Sequence, residues 1–206
     1  MKKILSIMMS AFMLVALAAC GNTGGNNTTT KQETETSTPA KSSQTETSAA
    51  GGKNLVVYFS VTGNTKALAE TIAETTGADI VEIVPETPYT NEDISYNNDN
   101  CRANKEQNDD SARPAIANKI ENIDEYDTIY LGYPIWWGTM PKIINTFLET
   151  YDLSGKTVMP FCTSGGSSIE ASVSAIKSIC QNADVKDGFR DSSATASEEI
   201  KAWVEK

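Results

Sequence analysis

Leu55-Val56-Val57-Tyr58-Phe59, an unbroken apolar run, turns through Ser60-Val61-Thr62-Gly63-Asn64-Thr65, with its hydroxyl residues and one glycine, into a helical stretch beginning at Lys66. A continuous apolar run of this length is the pattern of a parallel strand buried on both faces. The turn after it presents N–H groups and hydroxyls, with the positive end of a helix dipole behind them. Two readings of Ser60 to Thr65 are open at this point: an ordinary helix cap, or a cradle for a phosphate.

The same alternation continues outward. The helix after Thr65 carries Ala67, Leu68, Ile72 and Ala73 inward and stops at Gly77, and Ile80 to Val84 reads as a second strand. A long polar segment from Pro85 to Arg113 precedes a weak helical pattern in Ile116, Ile120 and Ile123. Thr128 to Gly132 is the third strand, and Pro141, at a first helical position, opens a helix with the stripe Ile143, Ile144, Phe147 and Leu148. Thr157 to Cys162 is the fourth strand, Ile169 to Ile179 a helix, Val185 to Phe189 a weak fifth strand, and Ser197 caps the last helix. Strands alternating with helices imply an α/β, doubly wound parallel sheet with right-handed crossovers and helices on both faces.

In such a sheet ligands bind beyond the carboxyl ends of the strands. Three loops are expected there: Ser60 to Thr65, Tyr133-Pro134-Ile135-Trp136-Trp137-Gly138-Thr139, and Thr163-Ser164-Gly165-Gly166-Ser167-Ser168. Flat aromatics suit the faces of a conjugated ring, and bare amides of a glycine-containing loop suit its polar edge. Taken singly, the tryptophans read equally as core and the glycines as a turn. No G-x-G-x-x-G occurs, and no glycine-rich loop ends in Gly-Lys-Ser or Gly-Lys-Thr, so the common dinucleotide and triphosphate cradles are absent.

The amino-terminal quarter has a different character. Lys2 and Lys3, the apolar run Ile4 to Leu17, and Leu17-Ala18-Ala19-Cys20 form an export signal that resembles a lipobox, with Cys20 as the lipid-bearing residue. The run is short for a membrane span, which needs about 20 apolar residues. Residues 21 to 53 are rich in Thr, Ser, Asn, Gly, Gln and Glu, and are expected to form a disordered tether with a coil dimension of roughly 30 Å. Residues 54 to 206 are left as one domain, carried outside the cytoplasm and held on the membrane by lipid.

That domain carries 12 Lys or Arg against 24 Asp or Glu, a formal charge of −12. Such a surface disfavours nucleic acid and anionic lipid. The chain contains no histidine, which removes histidine-based triads and most transition-metal sites. With Cys20 assigned to lipid, Cys101, Cys162 and Cys180 are an odd set. Cys162 and Cys180 should not pair, because a helix of ~18 Å separates their ends.

Tyr58-Phe59-Ser60 with Thr62-Gly63-Asn64-Thr65, the segment Asn100-Cys101-Arg102-Ala103-Asn104-Lys105-Glu106-Gln107, Gly132-Tyr133-Pro134-Ile135-Trp136-Trp137-Gly138 followed by Pro141, and Pro160-Phe161-Cys162-Thr163-Ser164-Gly165 together resemble the exported, flavodoxin-like bacterial domains of the flavodoxin-4 group. The resemblance spans residues 54 to 206 and implies a five-stranded flavodoxin-like sheet of order 2-1-3-4-5 with noncovalent FMN. It implies that Ser60, Thr62, Gly63, Asn64 and Thr65 hold the phosphate, with Val61 contributing backbone only. Pro134, Trp136, Trp137, Gly138 and Thr139 would line the isoalloxazine, and Thr163, Ser164 and Gly165 its other side. Val61, where electron-carrier flavodoxins often have threonine, loosens the tie to that branch. Arg102, Asn104 and Glu106 could form an outer wall of a substrate pocket.

Two functions follow from these residues: an FMN oxidoreductase delivering electrons to a small organic acceptor such as a quinone or a nitro or azo compound, and a one-electron carrier that docks on a redox protein. A binding module without cofactor is a third, and the intact hydroxyl loop argues against it. No residue needs a catalytic role of its own, because a flavin carries the redox chemistry.

Overall fold

The computed structural model describes residues 52–191 and 197–206. The signal segment with Cys20, and the tether up to residue 51, lie outside the described residues. Lys53, the last residue of the expected tether, is held by the domain. Its N–H donates to Asp127 Oδ2 (3.0 Å) and its carbonyl accepts from Asp127 N (2.8 Å).

Strands β1 (Asn54–Tyr58), β2 (Asp79–Glu82), β3 (Thr128–Pro134), β4 (Thr157–Thr163) and β5 (Asp184–Val185) form a parallel sheet of order β2-β1-β3-β4-β5. Helices α1 (Asn64–Thr76), α3 (Lys142–Thr150), α4 (Glu170–Ile179) and α5 (Ser197–Val204) cover it, and a short α2 (Arg102–Gln107) lies in the long β2–β3 connection. Among the described residues no helix is long and apolar enough to cross a membrane.

Strand parity divides the core into two. Leu55, Val57, Phe59, Ile129, Leu131, Tyr133, Val158 and Cys162 face one layer, where the α3 stripe Ile143, Ile144, Phe147 and Leu148 meets Val173 and Ile176 of α4. Val56, Tyr58, Tyr130, Met159 and Phe161 face the other, under Leu68, Ala69, Ile72 and Ala73 of α1 and Ile200 and Trp203 of α5. Within β1, β3 and β4 the residues between the strand ends are therefore buried whichever way they point, which explains their near-continuous apolar runs, while edge strand β2 stays partly exposed.

Three expectations are corrected. In α1 it is Ala69, not the exposed Ala67, that turns inward beside Leu68, Ile72 and Ala73. Ile116 and Ile120 do not lie on a helix: Ile116 bridges Pro85 in antiparallel fashion, and only a single 3-10 turn, Ile123–Glu125, forms. The cause is Asn118, whose side chain accepts from Val84 N–H (2.8 Å) and donates to Glu82 O (2.8 Å), extending the open edge of β2. The fifth strand is broken in two: β5 pairs the start of β4 and β6 (Phe189–Asp191) pairs its end, in parallel. Val158 pairs Val185 while Phe161 pairs Phe189, so one extra residue bulges between them, and Gly188 there passes so close that a Cβ would lie 2.6 Å from Ile169 Cδ1. The polar β2–β3 connection, to which the sequence assigned no element, forms α2, which buries Cys101 and Ala103 at its start. The helix starting at Ser197 agrees with the sequence reading, while the capping side chain of Ser197 lies outside what the structure describes.

Cys101, Cys162 and Cys180 are free thiols. Cys162 is fully buried, and that burial pushes its thiol up to about 12.

Candidate functional site

The first loop leaves β1 at the sheet's carboxyl edge and enters α1 with Gly63 at φ 88°, a left-handed turn that only glycine adopts without cost. No side chain caps the helix, which disposes of the simple capping reading. Ser60 Oγ accepts from Gly63 N–H (3.2 Å) and Thr62 Oγ1 from Asn64 Nδ2 (3.3 Å), so the hydroxyls shape the loop itself. Among the described residues the amides of Asn64, Thr65 and Lys66 donate to no protein acceptor. Three unpartnered N–H groups at the positive end of a helix of 13 residues make an anion cradle. Thr62, Gly63 and Asn64 are exposed, Ser60 and Val61 half-buried.

Thr65 differs from its neighbours. It is 1% exposed, and its Oγ1 shares a hydrogen bond with Thr163 Oγ1 at 2.8 Å. The bond ties the first turn of α1 to the end of β4, joining the first and third loops. Loops two and three are joined in turn, because Ile135 N–H donates to Thr163 O (3.0 Å). Ser164 N–H donates to Asp191 O (3.2 Å), and Ser164 Oγ accepts from Gly166 N–H (3.3 Å). Cβ atoms built at Gly63, Gly138, Gly165 and Gly166 would all meet open space within 4 Å, so all three loops leave room beside their backbone.

The second loop is a tight reversal. Trp136 N–H donates to Thr139 O (2.9 Å) and Thr139 N–H returns to Trp136 O (3.2 Å), while Trp137 and Gly138 both have positive φ, 46° and 87°. This is the mirror-image turn that favours Asn-Gly. A tryptophan in its first central position carries backbone strain of about 1–3 kcal/mol.

The turn sorts the two indoles. Trp136 is 5% exposed and packs edge-on against Phe59 (centroids 5.5 Å) and Tyr89 (5.1 Å). Its ring belongs to the core, not to the surface where a flat ligand could stack. Trp137 is half-buried and stacks on Tyr96 at 4.4 Å and 25°. Tyr96 is 61% exposed, and its hydroxyl donates to Ile135 O (3.2 Å). Pro134 and Thr139 are half-buried at the two ends of the loop, and Gly138 is exposed at its tip.

The β2–β3 connection supplies contacts that the sequence reading assigned differently. Arg102 and Glu106 are paired with each other (2.7 Å); Arg102 also donates to Thr87 O (2.8 Å) and lies over the Tyr89 ring (3.9 Å), and Tyr89 Oη donates to Glu106 (2.6 Å). Burial first, and then Glu106, raise the Tyr89 phenol well above its ordinary value. Asn104 bonds Asp99 O and Asn108. All three residues therefore hold this segment together. The residue of α2 that reaches the site is Gln107, whose Nε2 donates to Trp136 O (2.8 Å) and Met140 O (3.2 Å). Tyr89, Tyr96 and Gln107 were given no site role by the sequence, Gln107 standing only within the Asn100–Gln107 segment, because their contacts with the Trp136 loop leave no local spacing to betray them.

The arrangement offers an anion cradle, an adjoining half-exposed indole and two glycine-containing rims. These are groups for holding a phosphate beside a flat ring.

Residues 53–206 match the profile of a family described as flavodoxin. Among solved structures, the chain is 45% identical to a protein of Bacteroides eggerthii provisionally named a flavoprotein, covering 75% of this chain and 97% of that one with a TM-score of 0.72. It is 40% identical to a Bacteroides uniformis protein named in the same way, covering 76% and 99% with a TM-score of 0.71. A Lactobacillus acidophilus flavoprotein solved in complex with FMN is 24% identical, covering 75% and 99% with a TM-score of 0.59, and shares the fold. Among curated proteins nothing matches. With the profile spanning the whole domain and the sheet in the order β2-β1-β3-β4-β5, the chain belongs to the flavodoxin family.

Proposed function

We propose that this domain binds FMN and works as an oxidoreductase outside the cytoplasmic membrane, passing electrons to a flat organic acceptor such as a quinone or a nitro or azo compound. FMN fits the donor set. The Asn64, Thr65 and Lys66 amides are free to take its phosphate, and the exposed Gly63, Gly138 and Gly165 have open space beside their backbone. Ser60, Thr62, Asn64 and Thr65 would hold the phosphate, with Val61 contributing backbone. Trp137, Gly138 and Thr139 would flank the ring on one side, and Thr163, Ser164 and Gly165 on the other. Bound FMN supplies one- and two-electron redox chemistry; the protein binds, orients and excludes water.

The observation that carries the choice of acceptor is the stacked pair Trp137–Tyr96, an aromatic rim that is partly open to solvent. An apolar, aromatic-lined mouth with a few polar groups suits a flat small molecule. The −12 charge of residues 54–206 supports a second reading, a carrier that docks on a basic redox partner. Photoreduced protein given a quinone or nitroarene separates the two. Under the reductase reading, Trp137→Ala slows turnover more than reversal of surface carboxylates does. If the charge reversals abolish turnover and the tryptophan change does not, the carrier reading stands.

The location rests on Leu17-Ala18-Ala19-Cys20. Wild type should partition into detergent, whereas Cys20→Ala should be released or remain an unprocessed precursor. Wild type recovered in the soluble cytoplasmic fraction would overturn the placement.

A further inference from the structure

We infer that Gln107 is a positioning residue for the ring side of this site: its amide fixes both ends of the strained Trp136–Met140 turn, and so sets where Trp137 and Gly138 stand. The inference rests on the flavin-binding reading above for its consequence, and on the turn alone for its geometry.

Three observations meet at this side chain. Nε2 donates at once to Trp136 O (2.8 Å) and Met140 O (3.2 Å), the carbonyls on either side of the reversal. Only the N–H₂ of the amide can serve them, since both are acceptors. Oε1 is the one buried side-chain oxygen or nitrogen among the described residues without a hydrogen-bond partner. A buried acceptor left unpaired carries a penalty that the two donated bonds must outweigh for this rotamer to persist. Between the bonded carbonyls, Trp137 holds φ 46°, a conformation that persists only where its surroundings over-determine it.

Gln107 itself is fixed by α2, which Ala103 and Cys101 anchor in the core and which the Arg102–Glu106 pair stiffens beside Tyr89. From the other side Tyr96 stacks on Trp137 and bonds Ile135 O. The β2–β3 connection therefore grips the turn at the carbonyls of residues 135, 136 and 140, leaving the Trp137–Gly138 tip as the part that faces outward.

The test uses Gln107→Leu and Gln107→Glu in the full domain, titrated with FMN and with riboflavin by flavin fluorescence. Two neutral donor bonds are lost in Gln107→Leu, so affinity should fall by roughly ten-fold, and equally for both flavins, because the ring side and not the phosphate is disturbed. Gln107→Glu keeps the shape but has no donor when ionised. Its riboflavin affinity should recover as pH falls through the carboxyl range, since the protonated acid regains one O–H, while wild type stays level. A residue that merely filled space would give no such pH profile. An FMN-only loss, or a Gln107→Glu affinity that ignores pH, overturns the assignment. If wild type binds neither flavin, the proposed function falls, and the clamp is then judged on the apo protein. Near-ultraviolet circular dichroism of the Trp137–Tyr96 stack should weaken in both variants at neutral pH and return in Gln107→Glu on acidification; an unchanged stack signal overturns it.

Discussion

Thr65→Val separates the two tasks that the structure gives one hydroxyl. Valine keeps the shape of threonine, so the 1% exposed site is refilled without a cavity, and what is lost is the 2.8 Å bond to Thr163. A neutral hydrogen bond contributes about 0.5–1.5 kcal/mol net. Thr163 is half-buried, so water can serve its hydroxyl in part, and the stability loss should be about 1 kcal/mol. For a domain of this size that corresponds to a fall in melting temperature of roughly 2–4 °C. Binding responds differently. The two hydroxyls share one hydrogen bond, which leaves one proton over, and a donor to an anion is worth about 1.5–3 kcal/mol. FMN affinity should thus drop roughly ten- to a hundred-fold. Riboflavin, which has no phosphate, should keep its affinity. Parallel fluorescence titrations with the two flavins, alongside a thermal melt, read out both effects. Equal losses for FMN and riboflavin would refute the phosphate role, and an unchanged melt would refute the coupling of α1 to β4.

Three further outcomes are expected. Trp137→Asn relieves the left-handed strain, about 1–3 kcal/mol, but removes the Tyr96 stack, about 0.5–1.5 kcal/mol, and the ring's partial burial against the core, so the apo domain should melt within a few degrees of wild type while flavin affinity falls; a melt lowered by about 10 °C or more would show that the turn is not strained. Gly132→Ala would place a Cβ 2.2 Å from Phe161 Cζ in the fully buried core, at a cost of about 3 kcal/mol or more, and Phe161→Leu in the same chain should recover much of it in a urea melt. No recovery would locate the strain elsewhere. Burial raises the Cys162 thiol to about 12 from an ordinary 9.0, and burial with Glu82 raises the Tyr58 phenol to about 12 from 10.0. Both folded values lie above the unfolded ones, so their contribution is intact below pH 9 and is lost as pH climbs from 9 towards 12. Urea midpoints should fall in that window, and in Cys162→Ala the fall between about pH 9 and 10 should be smaller, because of the two thiols raised by burial only Cys180 remains; identical profiles in the two proteins would remove the Cys162 thiol from the account.

The strand order was implied by the resemblance of the motifs to the flavodoxin group; the parallel α/β sheet and the three loops at its carboxyl edge were determined by the sequence itself. The reason is that these are written locally: apolar runs such as Leu55 to Phe59 mark strands buried on both faces, and the α3 stripe of Ile143, Ile144, Phe147 and Leu148 marks a helix with one side inward. Crossover handedness then leaves few ways to connect them. What lay beyond it turns on contacts between residues far apart in the chain. Trp136 and Trp137 are neighbours of the same type, and only a turn with φ 46° and 87° sends one ring into the core against Phe59 and Tyr89 and leaves the other half-exposed under Tyr96. The Ile116–Ile120 stretch has a helical spacing that lost to the edge of β2, because Asn118 could satisfy the Val84 and Glu82 backbone there. The bulge that splits the fifth strand answers to the close approach of Gly188 to Ile169. Gln107 reaches carbonyls 29 and 33 residues away. Periodicity reports which face of an element is apolar; which polar groups meet across loops is settled only when the tertiary structure has brought them within hydrogen-bond reach.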